Sequence, residues 1–501
     1  MNLSIFHRLY LPLLLGFVAR LTSSIAGLGF HARDDYYHLL APALAWLEDP
    51  EFDWLSSDLP AAGARSFLAP KILYGLLRFF KGLGIDDPEN LLRALHASLG
   101  IYSLLTVVCV YLLVDKLTAN PKTTAIATWL AALHFIMPYA GTRLLIEAMA
   151  IPPLIYGLFL VAHQSPLKII WGGFFIAASC WFRFQVGVAA LGVALALFWN
   201  ARRNDQPSEG RKHVLALALG GGVGVLLQGL FDYATTGQFL GPVIENFRLN
   251  LDPHDGLTRS GIFSYIGFFA LLTIPPFTFV LAKPFWLALK RYALISFPLI
   301  AFILVHSLIG HKEERFMLPV LPLFLVIIAL AVQMIDENPQ FSNGMIGRQF
   351  RRWFKPILVL HAVLLFVVCM GQSQKNLRET MSWVRERPEI VNLISIGPET
   401  HTFFLNRKGI NIQRKRLFHA EWLHWTMFEM RERTHQDVYV LSYERDREKA
   451  GNMFLADKWQ CEVVSTQTGW WADRLAYKLN SKHNVRRSPI LIWRCFFSQT
   501  V

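Results

Sequence analysis

The apolar residues of this chain come in long blocks, and that grouping limits the fold more than any other feature. Leu9–Phe30, Leu92–Val114, Val214–Phe231, Gly261–Ala282 and Met317–Met334 each form an apolar run with few charges. A run of roughly 18 or more such residues crosses a bilayer core of about 30 Å as a helix. A soluble fold would have to bury every one of these runs on all sides. Composition agrees: 53% of the 501 residues are hydrophobic and 17% charged, with a mean hydropathy of +0.34. Soluble domains run at about 45–50% apolar and about 25% charged. The chain reads as a multi-pass α-helical membrane protein.

The length rule gives about eleven spans, at 9–30, 92–114, 123–139, 144–162, 169–182, 184–199, 214–231, 261–282, 292–309, 317–334 and 356–371. The pair at 169–199 is the weakest, because both halves are short and Arg183 divides them. The net charge of +13 does not point to nucleic acid, since many Lys and Arg residues collect in short loops between apolar blocks. With Arg8 inside, the inner loops hold Lys116 and Lys122, then Lys168, then Arg202, Arg203, Arg211 and Lys212. Lys283, Lys290 and Arg291 follow, then Arg348, Arg351, Arg352 and Lys355. Every inner loop is basic, as the positive-inside rule requires. The N-terminus imitates a signal peptide, with Ser24 and Ala26 as a small-residue pair. The long run and Arg20 at its centre favour an uncleaved first helix.

This topology turns three polar regions outward: residues 31–91, Asp232–Ser260, and a tail from about 372 to 501. Leu39–Leu47 and Phe67–Phe80 have amphipathic spacing and are expected on the membrane surface. The tail mixes strand-like runs at Asp437–Ser442, Cys461–Ser465 and Pro489–Phe496 with helical stretches such as Arg378–Arg387, and reads as a small extracytoplasmic α/β domain. The expected division is therefore a transmembrane domain, 1–371, and a C-terminal domain, 372–501. Of the five cysteines, Cys109, Cys180 and Cys369 lie in apolar blocks as small core residues. Cys461 and Cys495 can form one disulfide if the tail is outside. No cysteine or histidine cluster supports a metal site, and no cofactor is implied.

Several groups can carry chemistry. Asp34 and Asp35 follow the first span directly. Carboxylates at a membrane exit can be partly desolvated and serve as a general base, although two acids can equally cap the next helix. His311-Lys312-Glu313-Glu314-Arg315-Phe316 is a dense charge cluster between two apolar blocks. Lys312 and Arg315 are three apart and, on a helix start, share a face that suits a phosphate; the alternative is an interfacial turn whose charges pair internally. Arg20, Arg143, Glu147 and Arg183 lie in or beside apolar blocks, where ionisable groups usually face a cavity or a partner. Arg143 and Glu147, four apart, can pair with each other. Gly220–Gly224 lies within a span and fits close helix packing better than phosphate cradling.

The chain resembles the α-mannosyltransferases that build GPI anchors and the lipid-linked N-glycan precursor, in the GT-C superfamily. The sharpest match is His311-Lys312-Glu313-Glu314-Arg315-Phe316-Met317-Leu318-Pro319, which is similar to the family's His-Lys-Glu-x-Arg-Phe-x-x-Pro signature. Asp34-Asp35 resembles the acidic pair after the first helix, normally His-Pro-Asp-Glu, although Ala32-Arg33 replace His-Pro and Asp35 replaces Glu. Weaker echoes are Arg65-Ser66 before Pro70, Thr142-Arg143 with Glu147, Arg183, and Asp232 with Asn246-Phe247 and Asn250. The resemblance covers residues 1–335; beyond 371 the tail matches only in position.

The resemblance implies a donor sugar, mannose, β-linked to polyprenyl or dolichyl phosphate, and an α-glycoside formed by inversion on a lipid-linked glycan or glycolipid. In that reaction Asp34 would take the acceptor's proton and Asp35 would orient the acceptor or raise its neighbour's pKa. The phosphate leaves as an anion, so fixed cations suffice, and His311, Lys312 and Arg315 are placed to supply them. Arg65, Arg143, Glu147, Arg183 and Asp232 are weaker substrate-binding candidates. A transporter or flippase of lipid-linked sugars remains the alternative, and a receptor using the tail as a binding module is a third class. Outward regions without Asn-x-Ser/Thr sequons suit a bacterial inner membrane better than an endoplasmic reticulum membrane.

Overall fold

The computed structural model describes residues 4–32, 35–51, 53–56, 62–251, 260–405, 413–417, 423–456, 459–482 and 484–497. The chain divides into two compact units. The first comprises Met1–Ile25, His38–Arg78 and Ala94–Met370; the second comprises Ala26–Tyr37, Phe79–Arg93 and Gly371–Val501.

The first unit is helical, and each of the eleven apolar blocks carries helix. Among the described residues, six helices are long and apolar enough to cross a membrane: Phe6–Ala26, Pro88–Thr118, Phe184–Arg203, Pro207–Thr236, Glu314–Glu337 and Met345–Cys369. Ile146–Val161, Pro166–Cys180 and Ala293–Leu308 are apolar but shorter. At 1.5 Å per residue, a helix of some 16 residues extends only about 24 Å. The block at 261–282 is not one straight span. Ser264–Leu272 and Phe277–Arg291 meet at 108° across a short break.

Local chemistry sets several helix ends. Pro121 opens Pro121–Leu133 behind Asn120, whose side chain accepts the Lys122 and Thr123 backbone N–H groups. Gly237, with φ +73°, closes Pro207–Thr236 in the left-handed conformation that favours glycine. The apolar residues of Glu314–Glu337 are buried all round, so this helix forms the centre of the unit's core. By contrast Leu215, Leu219, Leu226 and Phe366 are largely exposed, as lipid-facing side chains are.

The glycine-rich run marks where Pro207–Thr236 meets Pro166–Cys180. A Cβ on Gly220 would lie 1.8 Å from the Ile170 carbonyl oxygen, and one on Gly173 would lie 2.2 Å from that of Leu217. Small residues let helices approach this closely.

The second unit is built on a five-stranded sheet: β1 (Asn392–Ile396), β2 (Gln413–Leu417), β3 (Val438–Tyr443), β4 (Trp459–Gln467) and β5 (Ile490–Phe497), in the order β2-β1-β3-β5-β4. β1 runs parallel to β2 and β3, whereas β5 is antiparallel to β3 and β4. The last three strands fall where the sequence places them. The first two carry little strand signal: β1 is five residues long, and β2 reads Gln-Arg-Lys-Arg-Leu. A charged strand at a sheet edge resists further pairing. Ile394, Val438, Val440, Trp459, Leu491 and Trp493 join Met427 and Phe454 in the core of this unit. Cys461 and Cys495 face each other across β4 and β5 and form a disulfide.

Candidate functional site

Arginines gather in the interior of the first unit. Pro166–Cys180 ends just before Arg183, whose extended backbone precedes the turn Phe184–Val186. The Arg183 guanidinium lies 3.0 Å from Glu147 Oε1, with side chains 9% and 1% exposed. It also sits 4.5 Å above the Phe316 ring. Phe316 belongs to the turn Glu314–Val320, which leads into the buried central helix and so carries Arg315 inward; Arg315 is 6% exposed. Arg315 Nε donates to Glu313 Oε2 at 2.6 Å, and His311 Nε2 lies 3.0 Å from the other oxygen of Glu313. Arg183 feels the charges of Arg65 and Arg315 as well as those of Glu147 and Glu313. Two guanidiniums, Arg183 and Arg315, and the carboxylates of Glu147 and Glu313 that pair with them thus lie together in the interior of this unit.

Lys312 does something else. Its amine donates to the carbonyls of Ile309 and Ser260 at 2.6 and 3.1 Å, which ties down the end of Ala293–Leu308.

The Arg65 segment is held from two sides. Asn246 Nδ2 donates to the Ala64 carbonyl at 3.1 Å, and Asn246 itself accepts from Gln185 Nε2 at 3.1 Å. Gln228 Nε2 donates both to Ser66 Oγ at 3.2 Å and to Asp232 Oδ1 at 2.6 Å. The buried carboxylate of Asp232 therefore acts on the Arg65 segment through Gln228 and Ser66. These sequence echoes, far apart in the chain, meet around one loop.

Arg143 and Glu147 do not form the i,i+4 pair that their spacing allows. The helix stops at Thr142 and restarts at Ile146, so the two side chains leave in different directions. Glu147 pairs with Arg183, while Arg143 Nη1 lies 3.1 Å from His96 Nδ1 and its guanidinium 4.3 Å from the Tyr139 ring centre. Arg20 is held by Ser103 Oγ at 2.7 Å and by the carbonyls of Ala132 and Gly16 at 2.9 and 3.1 Å. His96 and Ser103 lie on Pro88–Thr118 and gave no sequence signal beyond being polar in an apolar run.

Of the acidic pair, only Asp35 is described, and it lies in the second unit. Asp34 and Arg33 fall outside the described residues. Asp35 is 2% exposed, and its Oδ2 accepts the Ala32 N–H at 2.8 Å. The neighbouring Tyr36 is clamped by the tail. Its ring stacks on His401 with centroids 4.0 Å apart, and its hydroxyl accepts the Phe403 N–H at 3.3 Å. Phe30 meets the same imidazole edge-on at 5.2 Å. At Gly29, with φ +119°, a Cβ would lie 1.9 Å from the Ser373 carbonyl oxygen, so only glycine lets the chain pass there. No sequence motif marked His401 or Tyr36, because the contact joins segments some 365 residues apart.

The chain has a multi-span helical unit with buried cations and a small α/β unit, and its match to a mannosyltransferase family marks it as a membrane glycosyltransferase of the GT-C class. Among solved structures the chain is similar to ArnT from Cupriavidus metallidurans in the apo state, with a TM-score of 0.61 and 13% identity over 96% of this chain and 97% of that one. It is similar to the same protein bound to undecaprenyl phosphate, with a TM-score of 0.59 and 11% identity over 98% of both chains. It is also similar to the archaeal oligosaccharyltransferase AglB from Archaeoglobus fulgidus in complex with an inhibitory peptide and a dolichol-phosphate. There the TM-score is 0.51 and identity 13%, over 90% of this chain and 71% of that one. At such identities the likeness is one of fold. The chain belongs to the Alg9-like mannosyltransferase family, whose model matches residues 14–404. No curated protein sequence matches it significantly.

Proposed function

We propose that this protein transfers mannose from a polyprenyl or dolichyl phosphate to a lipid-linked glycan or glycolipid, with inversion, on the outer face of the membrane. The observation that carries this reading is the pair of buried guanidiniums, Arg183 and Arg315, oriented in the interior by Glu147 and Glu313. Arginines held deep in an apolar interior usually face a cavity or a partner, and a planar guanidinium fork suits a lipid phosphate. The ligands of the two similar structures, undecaprenyl phosphate and dolichol-phosphate, support the same chemical class.

In this mechanism the Asp34 carboxylate takes the proton of the acceptor hydroxyl. The acceptor oxygen bonds to the anomeric carbon from the face opposite the phosphate. The carbon–oxygen bond to phosphate breaks, and its electron pair leaves with the phosphate. Arg315 and Arg183, with Arg65 and His311 nearby, stabilise the charge that develops there. Lys312 fixes the turn that presents Arg315. Asp35 shapes the segment beside Asp34 by capping Ala32. The tail from 372 lies on the same outer side.

The test is transfer by the purified protein from radiolabelled polyprenyl-phosphate-mannose into a membrane-lipid extract, in detergent, where transport across a bilayer leaves no signal. Labelled glycolipid should appear in step with free polyprenyl phosphate. Asp34→Asn should lower the rate by roughly 10² to 10⁴, the usual contribution of a general base. Near-normal turnover in that variant would move the role to Asp35, and activity in Asp35→Asn as well would remove the acidic pair from the chemistry. No transfer from any lipid-phosphate sugar would overturn the reading.

A further inference from the structure

The tail carries a feature that the transfer reaction does not use. Helix Trp471–Leu479 buries no residue, and its outer face is of one kind. Trp471, Leu475 and Leu479 are 49%, 49% and 78% exposed and, at i, i+4 and i+8, form one stripe. Arg474 and Lys478 are exposed beside that stripe, and Lys482 follows in the next turn. Among the described residues none of these three cations makes an ion pair. The helix's acid, Asp473, points the other way and meets Arg487 at 3.4 Å. Asn484 closes the C-terminal end by donating to the carbonyls of Ala476 and Asn480 at 3.1 and 2.9 Å, so the face is held in register. Trp470 stands against Trp471, with ring centroids 5.0 Å apart.

We propose that this face is a membrane-surface anchor that seats the C-terminal unit on anionic lipid. A stripe of Trp and Leu beside unneutralised Arg and Lys is the composition of an interfacial helix: the apolar side chains enter the acyl boundary while the cations meet lipid phosphates. Paired tryptophans favour the same depth. The tail begins directly after the membrane-crossing helix Met345–Cys369, so a bilayer is always within its tether, at a high effective concentration. A protein partner would have to compete with that surface, and a second copy of this helix would bring like charges together. The face is therefore assigned to lipid.

The test uses the full-length protein in nanodiscs of phosphatidylcholine, with or without phosphatidylglycerol. An environment-sensitive fluorophore is attached at Leu475→Cys and, as a control, at Lys449→Cys, an exposed site on another helix of the tail. Unsubstituted protein put through the same labelling reports any signal from Cys109, Cys180 and Cys369. Quenching by lipids that carry a nitroxide near the headgroup should occur at 475 and not at 449, and should be stronger with phosphatidylglycerol. Each cation near an anionic surface contributes enough that Arg474→Gln with Lys478→Gln should lower the ratio of docked to free helix by about thirtyfold. The double variant should otherwise remain folded, since both side chains are exposed and neither makes a hydrogen bond or ion pair among the described residues. An unquenched fluorophore at 475 in both lipid mixtures overturns the proposal. Quenching that ignores both lipid charge and the double substitution overturns its electrostatic half. Cross-linking of 475 to 475 between two copies, with no lipid quenching, assigns the face to self-association instead.

Discussion

Glu147 and Glu313 each hold a buried arginine, Arg183 and Arg315, and so decide what those charges can do. The Arg183–Glu147 pair is nearly sealed from solvent, and removing one partner strands the other. Glu147→Gln should therefore destabilise the protein by about 3–5 kcal/mol, the usual cost of breaking a buried pair. Thermal unfolding in detergent should show it. Glu147→Gln combined with Arg183→Met should regain much of that stability while transfer stays low. A double variant as unstable as the single one would mean that Glu147 is needed for more than pairing. Arg315→Lys tests the donor site, since a planar fork becomes a point charge. Loss of a charge-assisted contact costs about 1.5–3 kcal/mol, roughly ten- to a hundredfold in kcat/KM for the donor, with the acceptor KM unchanged. Full activity per folded molecule would make the cluster a structural turn closed by Glu313.

Glycine placement decides the packing of whole elements. Gly220 and Gly222 look alike in the sequence, two residues apart in one run. In the fold they differ completely. A Cβ at 220 meets the Ile170 backbone, whereas one at 222 meets nothing within 4 Å. Gly220→Ala should push Pro207–Thr236 away from Pro166–Cys180 and lower the unfolding temperature. Gly222→Ala should be neutral, or stabilising by up to about 1 kcal/mol through helix propensity alone. Equal effects at both positions would contradict the observed interface. The strands teach a related lesson. β3, β4 and β5 were legible because their apolar residues recur in runs of strand length. β1 and β2 were not, since a five-residue strand and a charged edge strand carry no period to read.

At the scale of the whole molecule, the distribution of Lys and Arg makes the topology testable. Reporter fusions after Lys212 and after residue 400 should report opposite sides of the membrane; the same side for both would break the odd number of spans. If the tail lies outside the cytoplasm, the Cys461–Cys495 disulfide should be found oxidised in cells. Thiol labelling that finds both cysteines reduced in freshly lysed cells would place the tail inside.

What the sequence determined alone was whatever depends on local periodicity and on strings of neighbouring residues. The membrane class, the helical blocks, the small α/β tail and the cluster from His311 to Phe316 are all of that kind, because burial in lipid and turn chemistry act over a few residues at a time. Tertiary structure alone decided which charges meet. Spacing offered Arg143 to Glu147, but a helix break between Thr142 and Ile146 gave Glu147 to Arg183 and Arg143 to His96. It also turned Lys312 onto backbone carbonyls and gathered Ser66, Asp232 and Asn246 around Arg65. It placed His401 against Tyr36, the residue after Asp35. Long polar side chains choose partners through the directions in which packed helices aim them, and no pattern within one segment records where another segment will lie.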